Sequence, residues 1–154
     1  MTFYFLDSSA VVKRYVAETG THWIKSILNP LSGNHIHVAR IAGAEVVSAL
    51  SRRMRGGSIT AAAGSAAIAE FRNHFASEYV TVDITPSLVE SAMNLAAAYA
   101  LRGYDAVQLA AVLEINTDSI ALGMGSPTLI SADGDLNSAA IAEGLAVEDP
   151  NTHP

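Results

Sequence analysis

A chain of 154 residues that is 50% hydrophobic and 16% charged has the make-up of a folded globular protein, not a disordered one. It has no cysteine, which excludes disulfides and thiolate metal sites. No stretch approaches the roughly 20 uncharged apolar residues of a membrane span, and MTFYFLDSSAVVKRY lacks the regions of a signal peptide, so a soluble, cytoplasmic protein is expected.

Phe3-Tyr-Phe-Leu6 is a short apolar run and reads as a buried strand. Ser8 or Ser9 can cap the helix that follows, which carries Val11, Val12, Tyr15 and Val16. After Gly20 a second helix would hold Trp23, Ile24, Ile27 and Leu28 and stop near Pro30. Ile36-His-Val38 is a candidate strand, residues 40–55 a helix ended by Gly56-Gly57, and Thr60 opens a long alanine-rich helix to about Glu78. Tyr79-Val-Thr-Val82 is a strand, and Thr85-Pro86 begins a helix in the favoured Pro-at-N1 pattern, running to Leu101. Gly103 breaks it, and a new helix starts near Tyr104 or Asp105. Thr128-Leu-Ile-Ser131 is a strand, Asp133 to Glu143 a helix ended by Gly144, and Leu145-Ala-Val147 a last strand. DPNTHP at 149–154 reads as a frayed end, so one domain over residues 1–150 with a tail at 151–154 is expected. Short apolar strands separated by helices imply an α/β fold with a parallel sheet covered on both faces, whose ligands gather beyond the carboxyl ends of the strands.

Four acids stand out against this frame. Asp7 and Asp133 follow the first and fourth strands and belong to that carboxyl edge. Glu45 is the only charge between Ile41 and Leu50, and Asp105 the only one between Gly103 and Leu113. A carboxylate on an apolar helix is costly unless paired, hydrogen-bonded or bound to a cation, and few bases lie near these two in sequence. Each acid also has an ordinary explanation. Asp7 and Asp133 can be N-caps, Asp105 a first-turn acid favoured by the helix dipole, and Glu45 part of a solvent stripe. What shifts the balance is that all four contexts occur together. Crowded carboxylates resist joint ionisation, a divalent cation removes that conflict, and an oxygen-only donor set suits Mg²⁺ or Mn²⁺. Such a site activates a water and stabilises charge developing on a phosphate.

The net charge of −6 argues at first against a nucleic-acid partner. It is unevenly spread. Residues 1–55 carry seven bases and three acids, a net of +4, whereas residues 56–154 carry two bases and twelve acids, a net of −10. A phosphate-binding face can survive in the first third, unless its bases are simply solvated helix residues.

The motifs resemble a known family. Leu6-Asp-Ser-Ser-Ala-Val-Val-Lys-Arg-Tyr15 is similar to the opening of VapC-like PIN-domain proteins, and Glu45 matches that family's helical glutamate. Tyr104-Asp-Ala-Val-Gln-Leu-Ala110 resembles its second aspartate motif, Leu129-Ile-Ser-Ala-Asp-Gly-Asp-Leu136 its last, and Glu143-Gly-Leu-Ala-Val147 its closing turn. The resemblance spans residue 3 to about 150. It implies a three-layer α/β/α sandwich around a parallel sheet and a Mg²⁺- or Mn²⁺-dependent endoribonuclease, the toxin of a toxin–antitoxin pair. Its matched acids are Asp7, Glu45, Asp105 and Asp133, with Asp135 a weaker candidate. Ser8 and Ser131 are polar neighbours that can cap turns or bond a metal-bound water. RNA, a cognate antitoxin and a second copy of the chain are the implied partners, and a mean hydropathy of +0.28 also suggests that some apolar surface is covered.

Two other functions compete. A phosphotransferase could use Asp7 as nucleophile, but would usually need a nearby lysine and a second acid at position 9, which is Ser9. A non-catalytic binding module could keep the fold and cleave nothing. Other signals are weak. His35 and His37 share a strand face but show no third ligand. Gly123-Met-Gly-Ser-Pro127 lacks the Lys-Ser/Thr of a phosphate loop. Trp23 and Tyr15 have the helical spacing of packing residues, and the alanines of 61–69 permit close helix packing.

Overall fold

The computed structural model describes residues 2–154. In chain order it contains β1 (Phe3–Leu6), α1 (Ser8–Tyr15), α2 (Thr21–Ile27), β2 (His35–Ala39), α3 (Ala42–Arg55), α4 (Ala61–Ser77) and β3 (Val80–Val82). There follow α5 (Pro86–Tyr99), α6 (Gly103–Ala121), β4 (Thr128–Ile130), α7 (Gly134–Ala142) and β5 (Ala146–Glu148). The strands form one sheet in the order β3-β2-β1-β4-β5, and every neighbouring pair is parallel.

Successive strand residues face opposite sides of a sheet, and the core divides accordingly. Phe5 and Leu129 are fully buried with residues of α5, α6 and α7, whereas their neighbours Leu6 and Ile130 are fully buried with residues of α1 to α4. The result is the expected three-layer α/β/α sandwich. β1 lies at the centre, so its carboxyl end and that of β4 open on the middle of one edge. Their register sets Leu6 opposite Ile130, which carries Asp7 and Ser131 to that edge side by side.

The chain departs from the sequence-based expectations at three places. Asp7, not Ser8 or Ser9, caps α1, because the chain leaves β1 directly into the helix. The break between α5 and α6 falls at Ala100, a left-handed residue at φ 53°, and Gly103 is instead the first residue of α6. Leu101 explains the shift: turning the chain before it puts this residue into the core. The last residues are not frayed. Pro150–Thr152 form a 3-10 turn, Lys13 Nζ donates to Asn151 Oδ1 at 2.9 Å, and the rings of Trp23 and His153 stack 4.0 Å apart. Polarity alone suggested a tail, and these tertiary contacts hold it down.

Candidate active site

Asp7 is fixed by the sheet and by its own side chain. Its N–H donates to the Ile130 carbonyl at 3.2 Å, extending the β1–β4 ladder by one residue. Its Oδ1 accepts from the Ala10 N–H at 3.1 Å and from the Ser9 hydroxyl at 2.7 Å, and its Oδ2 accepts from the Ser131 hydroxyl at 2.9 Å. The Ser9 and Ser131 hydroxyls in turn accept from the N–H groups of Ala132 and Asp133, both at 3.0 Å. The two strand-to-helix turns are thus joined around one carboxylate. Asp7 is only 3% exposed. Burial pushes its carboxyl up to about 7 against the pull of those three hydrogen bonds, and the charge of Glu45 adds to the rise.

Glu45 lies in the first turn of α3, half-buried. Its Oε1 accepts from Gln108 Nε2 at 2.9 Å and its Oε2 from the Ser8 hydroxyl at 3.1 Å. Burial raises its carboxyl, the two donors oppose that, and Asp105 adds to it. Asp105, in the first turn of α6, is 3% exposed. Its carboxyl is raised by burial and then by Asp133, against Arg102, with a last push from Asp135. Asp133 caps α7, with Oδ1 accepting from the Leu136 N–H at 2.9 Å. Arg102 bridges these last two acids, Nε lying 3.1 Å from Asp105 Oδ2 and Nη2 lying 2.8 Å from Asp133 Oδ2.

All four acids line one cleft of about 480 Å³, together with Lys13, Arg52, Arg53 and Tyr104. Their carboxyls feel one another in series, Asp7 with Glu45, Glu45 with Asp105, and Asp105 with Asp133. They are not a closed cage. Among the described residues no three His, Cys, Asp or Glu side chains are grouped so as to hold a metal ion. The donor set nevertheless fits a small hard cation that keeps several of its waters and takes only one or two carboxylates directly.

The chain is similar to known proteins over most of its length. The family model of the PIN domain matches residues 4–142. Ribonuclease VapC45 and Ribonuclease VapC49, from two strains of Mycobacterium tuberculosis, are each 30% identical over 156 residues, covering 100% of this chain and of theirs. The chain belongs to the PIN-domain family. Solved structures show the same fold. PAE2754 from Pyrobaculum aerophilum has a TM-score of 0.63 at 19% identity, covering 98% of this chain and 91% of that one. VapBC2 from Rickettsia felis, bound to a DNA fragment from its promoter, gives 0.59 at 14%, covering 95% and 97%. FitAcB from Neisseria gonorrhoeae gives 0.61 at 13%, covering 96% and 97%.

In this PIN domain three of the acids keep their ordinary helix-terminus positions and still meet at one cleft, whereas Glu45 is half-buried and not on a solvent stripe. Asp7 and Asp133 do cap helices and Asp105 is a first-turn acid, yet all three line the same cleft as Glu45. Asp135 is exposed and is not part of the cleft wall. Ser8 and Ser131 spend their hydroxyls on Glu45 and Asp7. Asp7 is poorly placed as a nucleophile, being buried with both oxygens engaged, and the nearest lysine in sequence, Lys13, is committed to Glu18, Asn151 and the Thr19 carbonyl. His35 and His37 stack with Phe3 at 4.8 and 6.0 Å.

Two site residues escaped the sequence reading. Gln108 is 1% exposed and holds Glu45. It is the one amide in an apolar run, the same anomaly that singled out the acids. Arg102 was overlooked as a partner for Asp105, although three residues is the spacing that brings two helical side chains together.

Proposed function

We propose that this chain is a divalent-metal-dependent endoribonuclease, the toxin of a toxin–antitoxin pair, and that the cleft of the four acids is its active site. The observation that carries the reading is convergence. Asp7, Glu45, Asp105 and Asp133 come from the N-terminal ends of four separate helices, are far apart in the chain, and share one cleft at the carboxyl edge of the sheet. Burial and mutual repulsion raise three of these carboxyls, an arrangement that costs folding stability and is characteristic of functional sites.

Mg²⁺ or Mn²⁺, when bound, would lower the pKa of a water and offset charge on the phosphate. Asp7 and Asp105 are the deepest of the acids and would hold the ion, directly or through water. Glu45 and Asp133 would complete the negative charge and orient the attacking water, with Gln108 and Ser8 fixing the Glu45 rotamer. Arg52 and Arg53 on the cleft wall are suited to the flanking phosphates. Arg53 pairs with Glu18 at 3.1 Å, whereas Arg52 has no ion pair among the described residues. This is the surviving basic face in an acidic protein.

The reading extends to partners. The relatives are named as VapC ribonucleases, which supports RNA as the substrate. An antitoxin would silence the enzyme by covering the cleft, and a second copy of the chain would cover apolar side chains such as Val89 and Met93, which are 40% and 60% exposed. No helix among the described residues is long and apolar enough to cross a membrane. The deciding experiment incubates the pure protein with mixed RNA in Mg²⁺ and again in EDTA. Cleavage in Mg²⁺ and none in EDTA is expected. RNA left intact in both by the folded chain freed of any partner would favour the non-catalytic module.

A further inference from the structure

We propose that Arg102 is a built-in counter-ion of the acidic site, which holds Asp105 and Asp133 together in the metal-free protein and must be displaced from them when a divalent cation enters. The inference rests on the reading of the cleft as a metal site. It starts from an asymmetry among the four acids. Asp7 and Glu45 are held by neutral donors only, namely hydroxyls, an amide and a backbone N–H. Asp105 and Asp133 share one guanidinium, and no other base among the described residues pairs with either.

The guanidinium occupies one oxygen of each carboxylate, where a cation bridging the two acids would compete with it. Asp133 Oδ1 is committed to capping α7, so Oδ2 is the oxygen left to offer, and Arg102 Nη2 holds it at 2.8 Å. On the other carboxylate Arg102 Nε lies 3.1 Å from Oδ2. Without a positive charge between them these two acids would repel unopposed; even with Arg102 in place, burial and then the Asp133 charge raise the Asp105 carboxyl. The planar fork of arginine, with donors fixed in direction, suits a bridge between two carboxylates on different helices.

The bridge is also placed to yield. The Arg102 side chain is 60% exposed, against 4% for Asp105 and 21% for Asp133, so the guanidinium stands at the mouth and the carboxylates beneath. Arg102 is the N-cap of α6 but makes no side-chain cap bond, so its side chain can leave without unravelling the helix. Its remaining contact is the Tyr104 ring, 5.0 Å away. An exposed pair of this kind is weak compared with the attraction of a divalent ion to several carboxylates. The same residue therefore assembles the site before the metal and competes with the metal for it.

The experiment is calorimetric titration of Mn²⁺, without RNA, into the wild type, Arg102→Gln and Arg102→Lys, with melting of each in EDTA and in saturating Mn²⁺. Arg102→Gln is expected to bind Mn²⁺ about three- to tenfold more tightly, the size that one or two half-exposed ion pairs represent. It should melt below the wild type in EDTA, and the gap should close in Mn²⁺. Arg102→Lys, which keeps the charge but loses the fork, should fall between the two, and serves alone if Arg102→Gln does not fold. An arginine that only braces the fold would weaken Mn²⁺ binding when replaced. Equal or weaker binding in the variants, while the wild type binds Mn²⁺, overturns the inference and leaves the metal site standing. No binding by any of the three proteins overturns both.

Discussion

The hydrogen bonds to Asp7 make it a clean test residue. Asn at position 7 still accepts from the Ala10 N–H and the Ser9 hydroxyl through its carbonyl oxygen, and its NH₂ can donate to the Ser131 hydroxyl, which now donates to Asp7. The cap survives and one buried negative charge is gone. Asp7→Asn should therefore melt at or above the wild-type temperature in EDTA, yet lose RNA cleavage on the order of a hundredfold or more, the scale on which preorganised charge contributes to catalysis. Asp105→Asn should lose activity to a similar degree. If Asp7 served only as a cap, Asn, which caps as well as Asp, would leave activity near the wild-type level and would not raise the metal-free melting temperature. Cleavage near the wild-type rate in both variants would sink the proposed mechanism.

At the scale of elements, the C-terminal turn is the least expected contact and the easiest to challenge. Gly20 precedes α2 at φ 88°, a left-handed conformation that side chains disfavour. A Cβ there would lie 2.3 Å from the Pro150 carbonyl oxygen, a backbone atom with nowhere to retreat while the turn stays docked. Gly20→Ala should lower stability by about 2–4 kcal/mol, combining left-handed strain with a forced overlap. It should also loosen Lys13, which lines the cleft and is anchored by Asn151. Urea unfolding measures the first effect. A loss below about 0.5 kcal/mol, the range of a neutral surface change, would show that the turn is not packed against Gly20 in solution.

For the whole molecule, the raised carboxyls reverse the usual pH dependence. The Asp7 carboxyl titrates near 3.8 when unconstrained and is pushed up to about 7 in the fold. Between those values the folded state holds a proton that the unfolded chain does not, so acidification favours folding. The higher carboxyls of Glu45 and Asp105 act in the same direction. In EDTA the melting temperature should rise as pH falls from about 8 to about 6.5, a window above the range where charging of His37, lowered by burial and by His35, works the other way. Asp7→Asn should flatten much of that slope. With metal present the sign inverts, because protons and cations compete for the same oxygens. A metal-free melting temperature that is level or falls on acidification over that window would contradict the buried acidic cluster.

The elements and their order were legible in the sequence because each signal is local. Apolar runs mark β1 and β4, Thr60 and Thr85 cap their own helices, and a lone charge in an apolar helix marks Glu45 and Asp105. The anomaly that exposed the acids is equally a property of near neighbours. What only the tertiary structure decided is contact between distant segments: Ser131 on Asp7, Gln108 on Glu45, Arg102 reaching from Asp105 to Asp133, and Asn151 on Lys13. The choice of Asp7 over Ser8 or Ser9 as N-cap, and the break at Ala100, are left open or misplaced by local signals for a related reason. Several neighbouring residues satisfy the local rule equally well, and the choice among them is made by what the core buries, Leu101 above all. Sequence thus determines where carboxylates are out of place. Packing determines that they meet, and which side chains hold them when they do.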